Sequence, residues 1–99
     1  MTEQSVAVSR NESHKRFEAT IDGTPAGFID YRVRDGEVTL IHTETLAGFE
    51  GRGVGSALAK AALDDLRARG EKAFPLCPFI RSWLTKHPGE YDDIVLHRE

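Results

Sequence analysis

The chain has 99 residues, of which 39% are hydrophobic and 29% are charged, and its formal net charge is −3. This mixture is typical of a small globular protein, so we expect a single domain over residues 1–99. The basic residues are scattered, which argues against a nucleic-acid partner, and no apolar run reaches membrane-spanning length.

The first residues have neither the basic start nor the apolar stretch of a secretory leader, so we expect a cytoplasmic protein, as a monomer or a weak dimer. A single cysteine, Cys77, excludes an internal disulfide bond. No metal site is predicted, because the four histidines lack the spacing of metal ligands: His14, His42, His87 and His97.

Strand patterns fill the first half of the sequence. The strands expected from alternation run from Val6 to about Arg10, Arg16–Ile21, Ala26–Val33 and Glu37–Thr45. Asp22-Gly23 and Asp35-Gly36 are typical of two-residue hairpin turns, so these strands predict an antiparallel meander. In the last strand, strict alternation places Val38, Leu40, His42 and Glu44 on one face and Thr39, Ile41, Thr43 and Thr45 on the other.

Helix patterns dominate the second half. An amphipathic helix is predicted from Val54 to just before Gly70, followed by a short strand over Glu71–Leu76. A strand, a crossover helix and a second strand predict a parallel pair with a right-handed connection. A last helix is expected over about Pro78–His87, and the tail Gly89–Glu99 is weakly patterned. The fold class is therefore α/β (α+β), with a mixed sheet.

The segment Gly51–Ser56 opens the first helix with glycines at three alternate positions. Glycine allows positive φ and close backbone approach, and the first amides of a helix face outward with the positive end of its dipole. This predicts a cradle for phosphates, held by backbone amides and one cation, Arg52. The segment lacks the Lys-Ser/Thr of a Walker loop and fits the dinucleotide fingerprint poorly. A simpler alternative is that the glycines only shape a tight corner.

The order of motifs resembles the GNAT acetyltransferase superfamily, in its minimal single-domain acetyl-CoA-binding branch, over nearly all the chain from Arg16 onward. The motifs are His42-Thr43-Glu44-Thr45, Gly51-Arg52-Gly53-Val54-Gly55, Pro75-Leu76-Cys77-Pro78-Phe79 and Lys86-His87-Pro88. The resemblance implies acetyl-CoA as cosubstrate, bound through Thr45, Gly51, Arg52, Gly53, Val54, Gly55 and Ser56. It also implies that the Thr45 amide polarises the acetyl carbonyl. Glu50 departs from the family pattern, and its carboxylate would repel a diphosphate unless it points away.

Acetyl transfer to an amine requires a base, and Glu44 and His42 lie two residues apart in one strand, about 7 Å along it. Either is a candidate catalytic base, acting directly or through water. The plainer explanation is a solvated glutamate at the rim of the sheet and a histidine that packs.

Cys77 precedes the last helix, whose dipole favours the thiolate, so it is the third catalytic candidate. It is open whether Cys77 is an acyl-accepting relay, a contact for the pantetheine arm or a packed thiol. Many acetyltransferases of this superfamily carry a tyrosine acid on the last helix, and here that place falls near Leu84. The sequence therefore predicts a GNAT-type N-acetyltransferase acting on a small-molecule amine or a basic peptide. The alternatives are an acetyl-CoA-binding or sensing protein with little or no turnover, and a partner-binding domain that has lost the ligand.

Overall fold

The chain folds into a mixed sheet covered by helices, as given by a computed structural model that describes residues 6–96. The elements are β1 (Val6–Asn11), β2 (Arg16–Ile21), β3 (Thr24–Arg34), β4 (Glu37–Thr45), α1 (Val54–Ala68), β5 (Lys72–Pro75) and α2 (Pro78–Thr85). The strands form one sheet in the order β1-β2-β3-β4-β5, with β4 and β5 parallel and the other neighbours antiparallel. The predicted fold class is confirmed.

Two tight turns build the antiparallel part of the sheet. Asp22 and Gly23 have φ of 51° and 79°, and Asp35 and Gly36 have φ of 52° and 78°. Two successive positive φ values define the type I′ turn, which matches the twist of the flanking strands. Both predicted hairpins are confirmed, and β3 begins at Thr24, two residues before the predicted start.

The two faces of the sheet differ sharply. Partners across neighbouring strands share a face, and the pairs Phe17–Ile29, Tyr31–Leu40 and Val38–Ala73 are all buried. These side chains form one core with the buried residues of α1 and α2, so both helices pack on this side, here called the covered face. The other side, the open face, carries residues that are partly or fully exposed: Arg16, Glu18, Phe28, Asp30, His42 and Glu44.

A β-bulge in β4 corrects the predicted alternation. Asp30 pairs with His42 and Tyr31 pairs with Leu40, so Ile41 is an extra residue without a partner in β3. One inserted residue exchanges the faces of everything beyond it. The expectation that Val38 and Leu40 share a face with His42 and Glu44 is therefore wrong. The first pair lies on the covered face and the second pair on the open face.

The segment after α2 is part of the core, although its sequence is weakly patterned. Tyr91 and Ile94 are buried, and Val95 forms a parallel bridge with Ala73 of β5. The hydroxyl of Tyr91 donates a hydrogen bond to Oδ1 of Asp64 in α1, at 2.7 Å. Helix α2 ends at Thr85, two residues before the predicted end.

Residues 1–5 and 97–99 lie outside the described residues, and with them the predicted absence of a leader and His97. Neither helix in residues 6–96 combines the length and the hydrophobicity that a bilayer-spanning helix needs.

Candidate functional site

Strand β4 extends beyond the end of its parallel neighbour β5. Their pairing covers Glu37–Leu40 and ends there, where the N–H groups of Leu76 and Cys77 both donate to the carbonyl of Leu40, at 3.1 and 2.9 Å. From Ile41 to Thr45, β4 continues along β3 alone among the described strands. The region between the second half of β4 and the start of α2, which no described strand pairing bridges, is here called the strand gap.

The main chain of Thr45 is directed into the strand gap. The N–H of the next residue, Leu46, donates to the carbonyl of Ala26 in β3, at 2.8 Å. Backbone groups of successive strand residues point to opposite edges, so the Thr45 amide points away from β3. It lies on the edge of β4 that the described part of β5 leaves unpaired.

The glycine loop owes its shape to two residues with positive φ, Gly51 at 79° and Gly53 at 76°. Side chains disfavour this conformation, although there is open space around both positions. Gly53 is the N-cap of α1 and supplies no side-chain hydrogen bond, and the first turn of α1 has no acidic residue. The first amides of α1 thus lack a side-chain cap within the described helix start, as an anion cradle requires.

Gly55 serves a different purpose from the other loop glycines. A Cβ at this position would lie 2.6 Å from Cζ of Phe79 in α2. The next residue, Ser56, accepts a hydrogen bond from Nε1 of Trp83, at 3.0 Å. Gly55 and Ser56, predicted as coenzyme contacts, therefore also join the start of α1 to α2.

The carboxylate of Glu50 is turned back onto its own loop. Its Oε1 accepts a hydrogen bond from the N–H of Gly48, at 3.0 Å. The guanidinium carbon of Arg52 lies 5.5 Å from the centre of the Phe49 ring. Glu50, the acidic residue that departs from the family pattern, therefore helps to shape the loop.

His42 and Glu44 form a pair on the open face. Their Nε2 and Oε1 atoms are 3.1 Å apart, and their side chains are 55% and 50% exposed. The His42 ring also meets the edge of Phe28, with centroids 6.2 Å apart. The prediction that both candidates project from one face of the strand is confirmed. An imidazole and a carboxylate side by side are the kinds of group that act as general bases.

Cys77 lies on the other side of β4 from that pair. It is the N-cap of α2, is 3% exposed, and its thiol donates to Oγ1 of Thr43 at 3.4 Å. Thr43 pairs with the buried Ile29 and so lies on the covered face. The three catalytic candidates are not brought together: the acid–base pair and the thiol are on opposite faces of one strand.

Gly27 is a site residue that the sequence reasoning missed. A Cβ there would lie 2.6 Å from the Glu44 carbonyl oxygen and 2.8 Å from Cγ1 of Val54. Its absence lets the first turn of α1 lie directly on β3 and β4. A glycine inside a strand often marks a place where another part of the backbone approaches closely. Gly27 lies inside the predicted strand Ala26–Val33, so this signal was present in the sequence.

Within residues 6–96, no three His, Cys, Asp or Glu side chains come together as a metal centre. The Thr45 amide and the Cys77 thiol border the strand gap, whereas the side chains of His42 and Glu44 lie on the open face.

Comparison with known proteins identifies relatives of this chain. The profile of the family described as GCN5-related N-acetyl-transferase matches residues 16–94. Protein NATD1 of Xenopus tropicalis is 30% identical over 86 residues, which cover 85% of this chain and 79% of that protein.

Two solved structures share the fold. The NMR structure of a GCN5-like protein from Staphylococcus aureus superposes with a TM-score of 0.68 at 26% identity, covering 100% of this chain and 94% of that one. The ribosomal-protein-S18-alanine N-acetyltransferase of Escherichia coli has a TM-score of 0.55 at 29% identity, covering 63% of this chain and 40% of that one.

Proposed function

Because the chain belongs to the GCN5-related N-acetyltransferase family, we propose that it binds acetyl-CoA at the loop Gly51–Ser56 and transfers the acetyl group to an amine. The observation that carries the proposal is the start of α1, where two positive-φ glycines precede a helix without an acidic first turn. Backbone amides at such a helix start favour a diphosphate.

The surroundings of the loop fit the coenzyme. Glu50 is held by the Gly48 amide, so its charge is directed to its own loop rather than to the amides of α1. Arg52 is exposed beside these amides and supplies a cation for the diphosphate. The pantetheine arm then enters the strand gap, where the Thr45 amide is directed and polarises the acetyl carbonyl.

Acetyl-CoA supplies a thioester whose carbonyl carbon an amine attacks, so that a C–N bond forms as the C–S bond breaks. The open face is the side from which the amine approaches, because both helices occupy the covered face. Glu44 and His42 are on that side and take the proton that the amine loses, directly or through water. Their mutual contact holds both side chains near the end of β4.

Cys77 approaches the strand gap from the covered face. Its thiol is hydrogen-bonded to Thr43 and buried, which suits a wall contact for the thioester arm. A covalent relay through Cys77 would transfer the acetyl group from one sulfur to another and then to the amine. Intact protein mass separates the two roles, because only the relay forms an acetyl adduct on Cys77.

A second candidate function is acetyl-CoA binding without turnover. The observation that favours it is on α2, where Leu84 has no proton to donate and the Trp83 N–H is committed to Ser56. The departing thiolate would then lack an acid from these two positions.

Gly53 offers the sharpest test of the coenzyme site. Asn and Asp are the side chains that best tolerate positive φ, and a Cβ at Gly53 meets no atom within 4 Å. Gly53→Asp and Gly53→Asn have nearly the same shape and differ by one negative charge at the helix amides. By calorimetry, we expect the aspartate variant to bind acetyl-CoA about tenfold more weakly than the asparagine variant. Equal affinities would refute the diphosphate position.

Turnover is measured separately, by release of free CoA with and without amines and by intact protein mass. Release that depends on an added amine supports N-acetyl transfer, and tight binding without release supports the second candidate. An acetyl adduct that disappears in Cys77→Ala supports the relay. Release that survives in Cys77→Ala supports direct attack by the amine.

A further inference from the structure

A cleft of about 370 Å³ opens on the sheet beside the end of β4. The residues lining it include Arg16, Glu18, Thr20, Pro25, Phe28 and Leu46. The pairing of β2 with β3 shifts register between Ala19 and Thr20, at the same place. Leu46 directly follows Thr45, so the cleft adjoins the position proposed for the acetyl group.

The register of the sheet places an aromatic ring between two carboxylates. Phe28 in β3 lies directly opposite Glu18 in β2 and opposite Glu44 in β4. Neighbouring strands are about 4.8 Å apart, so the backbones of the two glutamates are separated by about 10 Å across the ring. Glu44 belongs to the proposed acid–base pair, and Glu18 lies in the cleft.

The charges in the cleft are not equivalent. Arg16 forms an ion pair with Asp30 at 3.1 Å, and its guanidinium lies 3.8 Å from the centre of the Phe28 ring. Arg16 therefore lines the cleft, and Asp30 already neutralises its positive charge. Glu18 accepts a hydrogen bond from the neutral amide of Asn11 at 3.3 Å, and within residues 6–96 no ion pair to it is formed. The negative charge of Glu18 is thus open to a ligand cation.

We propose that this cleft binds the distal ammonium of an aliphatic diamine, which makes a diamine the acceptor class, an inference that rests on the proposed function. The reacting amine lies at His42 and Glu44, the methylene chain crosses the exposed part of Phe28, and the second ammonium reaches Glu18. The aromatic ring favours a methylene chain, and the carboxylate favours the ammonium over a methyl group or a second carboxylate.

Three probes of equal chain length test the proposal. Cadaverine ends in a second amine, n-pentylamine in a methyl group and aminovalerate in a carboxylate. Each is titrated into the protein in the presence of CoA, and binding is followed by NMR shifts of the backbone amides. We expect cadaverine to bind about fivefold more tightly than n-pentylamine and aminovalerate to bind most weakly, with shifts at Glu18, Phe28 and Glu44.

Glu18→Gln keeps the shape of the side chain and removes its charge. We expect this variant to lose the difference between cadaverine and n-pentylamine while its affinity for acetyl-CoA stays within about twofold of the original. Glu90→Gln removes an exposed charge beyond the end of α2 and should preserve the difference. Glu18→Ala, which removes the carboxylate altogether, is a second variant should the first fold poorly, with the same expected result.

Three results would overturn the diamine cleft: equal binding of cadaverine and n-pentylamine, preferential binding of aminovalerate, or a preference for cadaverine that persists in Glu18→Gln. Preferential binding of aminovalerate would make Arg16 the anchor. Failure of the proposed function looks different, because it appears as absent acetyl-CoA binding or absent CoA release, whatever the preference among the probes.

Discussion

The two faces of β4 differ in burial, and the extra residue Ile41 is what separates them. Before the bulge, Val38 and Leu40 are fully buried under the helices. After it, His42 and Glu44 are half exposed on the opposite face. A bulge re-aims side chains without breaking the sheet. Substitutions on the covered face should therefore change stability, whereas those on the open face should change activity at nearly constant stability.

Gly27→Ala is expected to give the largest loss of stability. The new Cβ would lie 2.6 Å from a backbone oxygen of β4 and 2.8 Å from Val54, and backbone cannot move aside as a flexible side chain can. Overpacking of this kind costs about 2–3 kcal/mol, measurable as a lower free energy of unfolding in denaturant.

The contact that a Cβ at residue 27 makes with β4 can be tested separately from the contact that it makes with α1. Val54→Ala removes the side-chain contact but not the one with the Glu44 carbonyl oxygen. Val54 is itself buried, so Val54→Ala alone lowers stability, and the test is what Gly27→Ala costs in the Val54→Ala protein. We expect the cost there to be smaller than in the original protein but not zero. If Gly27→Ala cost nothing in that background, β3 and β4 would have room to separate, and the close approach of the strands would not be the constraint.

Glu44→Gln, on the open face, is expected to lower activity while leaving stability nearly unchanged. It removes the carboxylate that faces His42 in the proposed base, so proton removal from the amine should be impaired and kcat/KM should fall about tenfold. The free energy of unfolding should change by less than about 0.5 kcal/mol, because the side chain is exposed.

The double variant with His42→Gln sharpens this test. If the pair acts as one base, the double variant loses little more activity than either single variant. Multiplied losses with unaltered acetyl-CoA affinity would show that the two residues act independently.

Tyr91→Phe tests the attachment of the C-terminal segment to the covered face. Burial and the hydrogen bond to Asp64 raise the pKa of Tyr91 to about 12. The folded state thus favours the protonated phenol, whose contribution is complete below the ordinary pKa of about 10 and is lost as pH rises towards 12.

At neutral pH the substitution should cost about 1 kcal/mol of unfolding free energy through the lost hydrogen bond. The difference from the original protein should shrink between about pH 10 and pH 12, followed by denaturant unfolding across that range. Asp92→Asn, on the exposed side of the same turn, serves as the control. A difference that stays constant with pH would contradict the raised pKa.

Most of the fold could be predicted because its signals are local. The pairs Asp22-Gly23 and Asp35-Gly36 require positive φ, and the spacing of apolar residues after Val54 has the period of a helix. The bulge at Ile41 leaves no such mark, since its neighbours alternate as in any regular strand. The burial of Tyr91 and Ile94 depends on partners distant in sequence, Asp64 among them.

The candidate site, like the fold, could be predicted where its signals are local in sequence and not where they depend on strand register. The positive φ of Gly51 and Gly53 follows from a motif that can be read along the chain. The position of Cys77 opposite His42 and Glu44 follows only from the bulge, and the row Glu18–Phe28–Glu44 follows only from the register of three strands. Strand order and register are set by tertiary packing, so sequence patterns alone did not predict these features of the site.

The smallest effect is expected at Gly55, where the covered side and the proposed coenzyme site meet. A Cβ there would approach the Phe79 ring to 2.6 Å, but the ring is 42% exposed and has room to turn away. Gly55→Ala should therefore cost only about 0.5 kcal/mol, far less than Gly27→Ala, because the gain in helix propensity offsets part of the strain.

In a Phe79→Ala background the ring is gone, and the same Gly55→Ala change should stabilise the protein by about 0.5 kcal/mol, since only the helix propensity remains. This reversal of sign, measured by a double-mutant cycle in denaturant, would show that Gly55 is glycine because α2 packs against it. If the change still destabilises without the ring, the requirement for glycine lies in the backbone of α1, and Gly55 joins Gly51 and Gly53 as a residue of the loop.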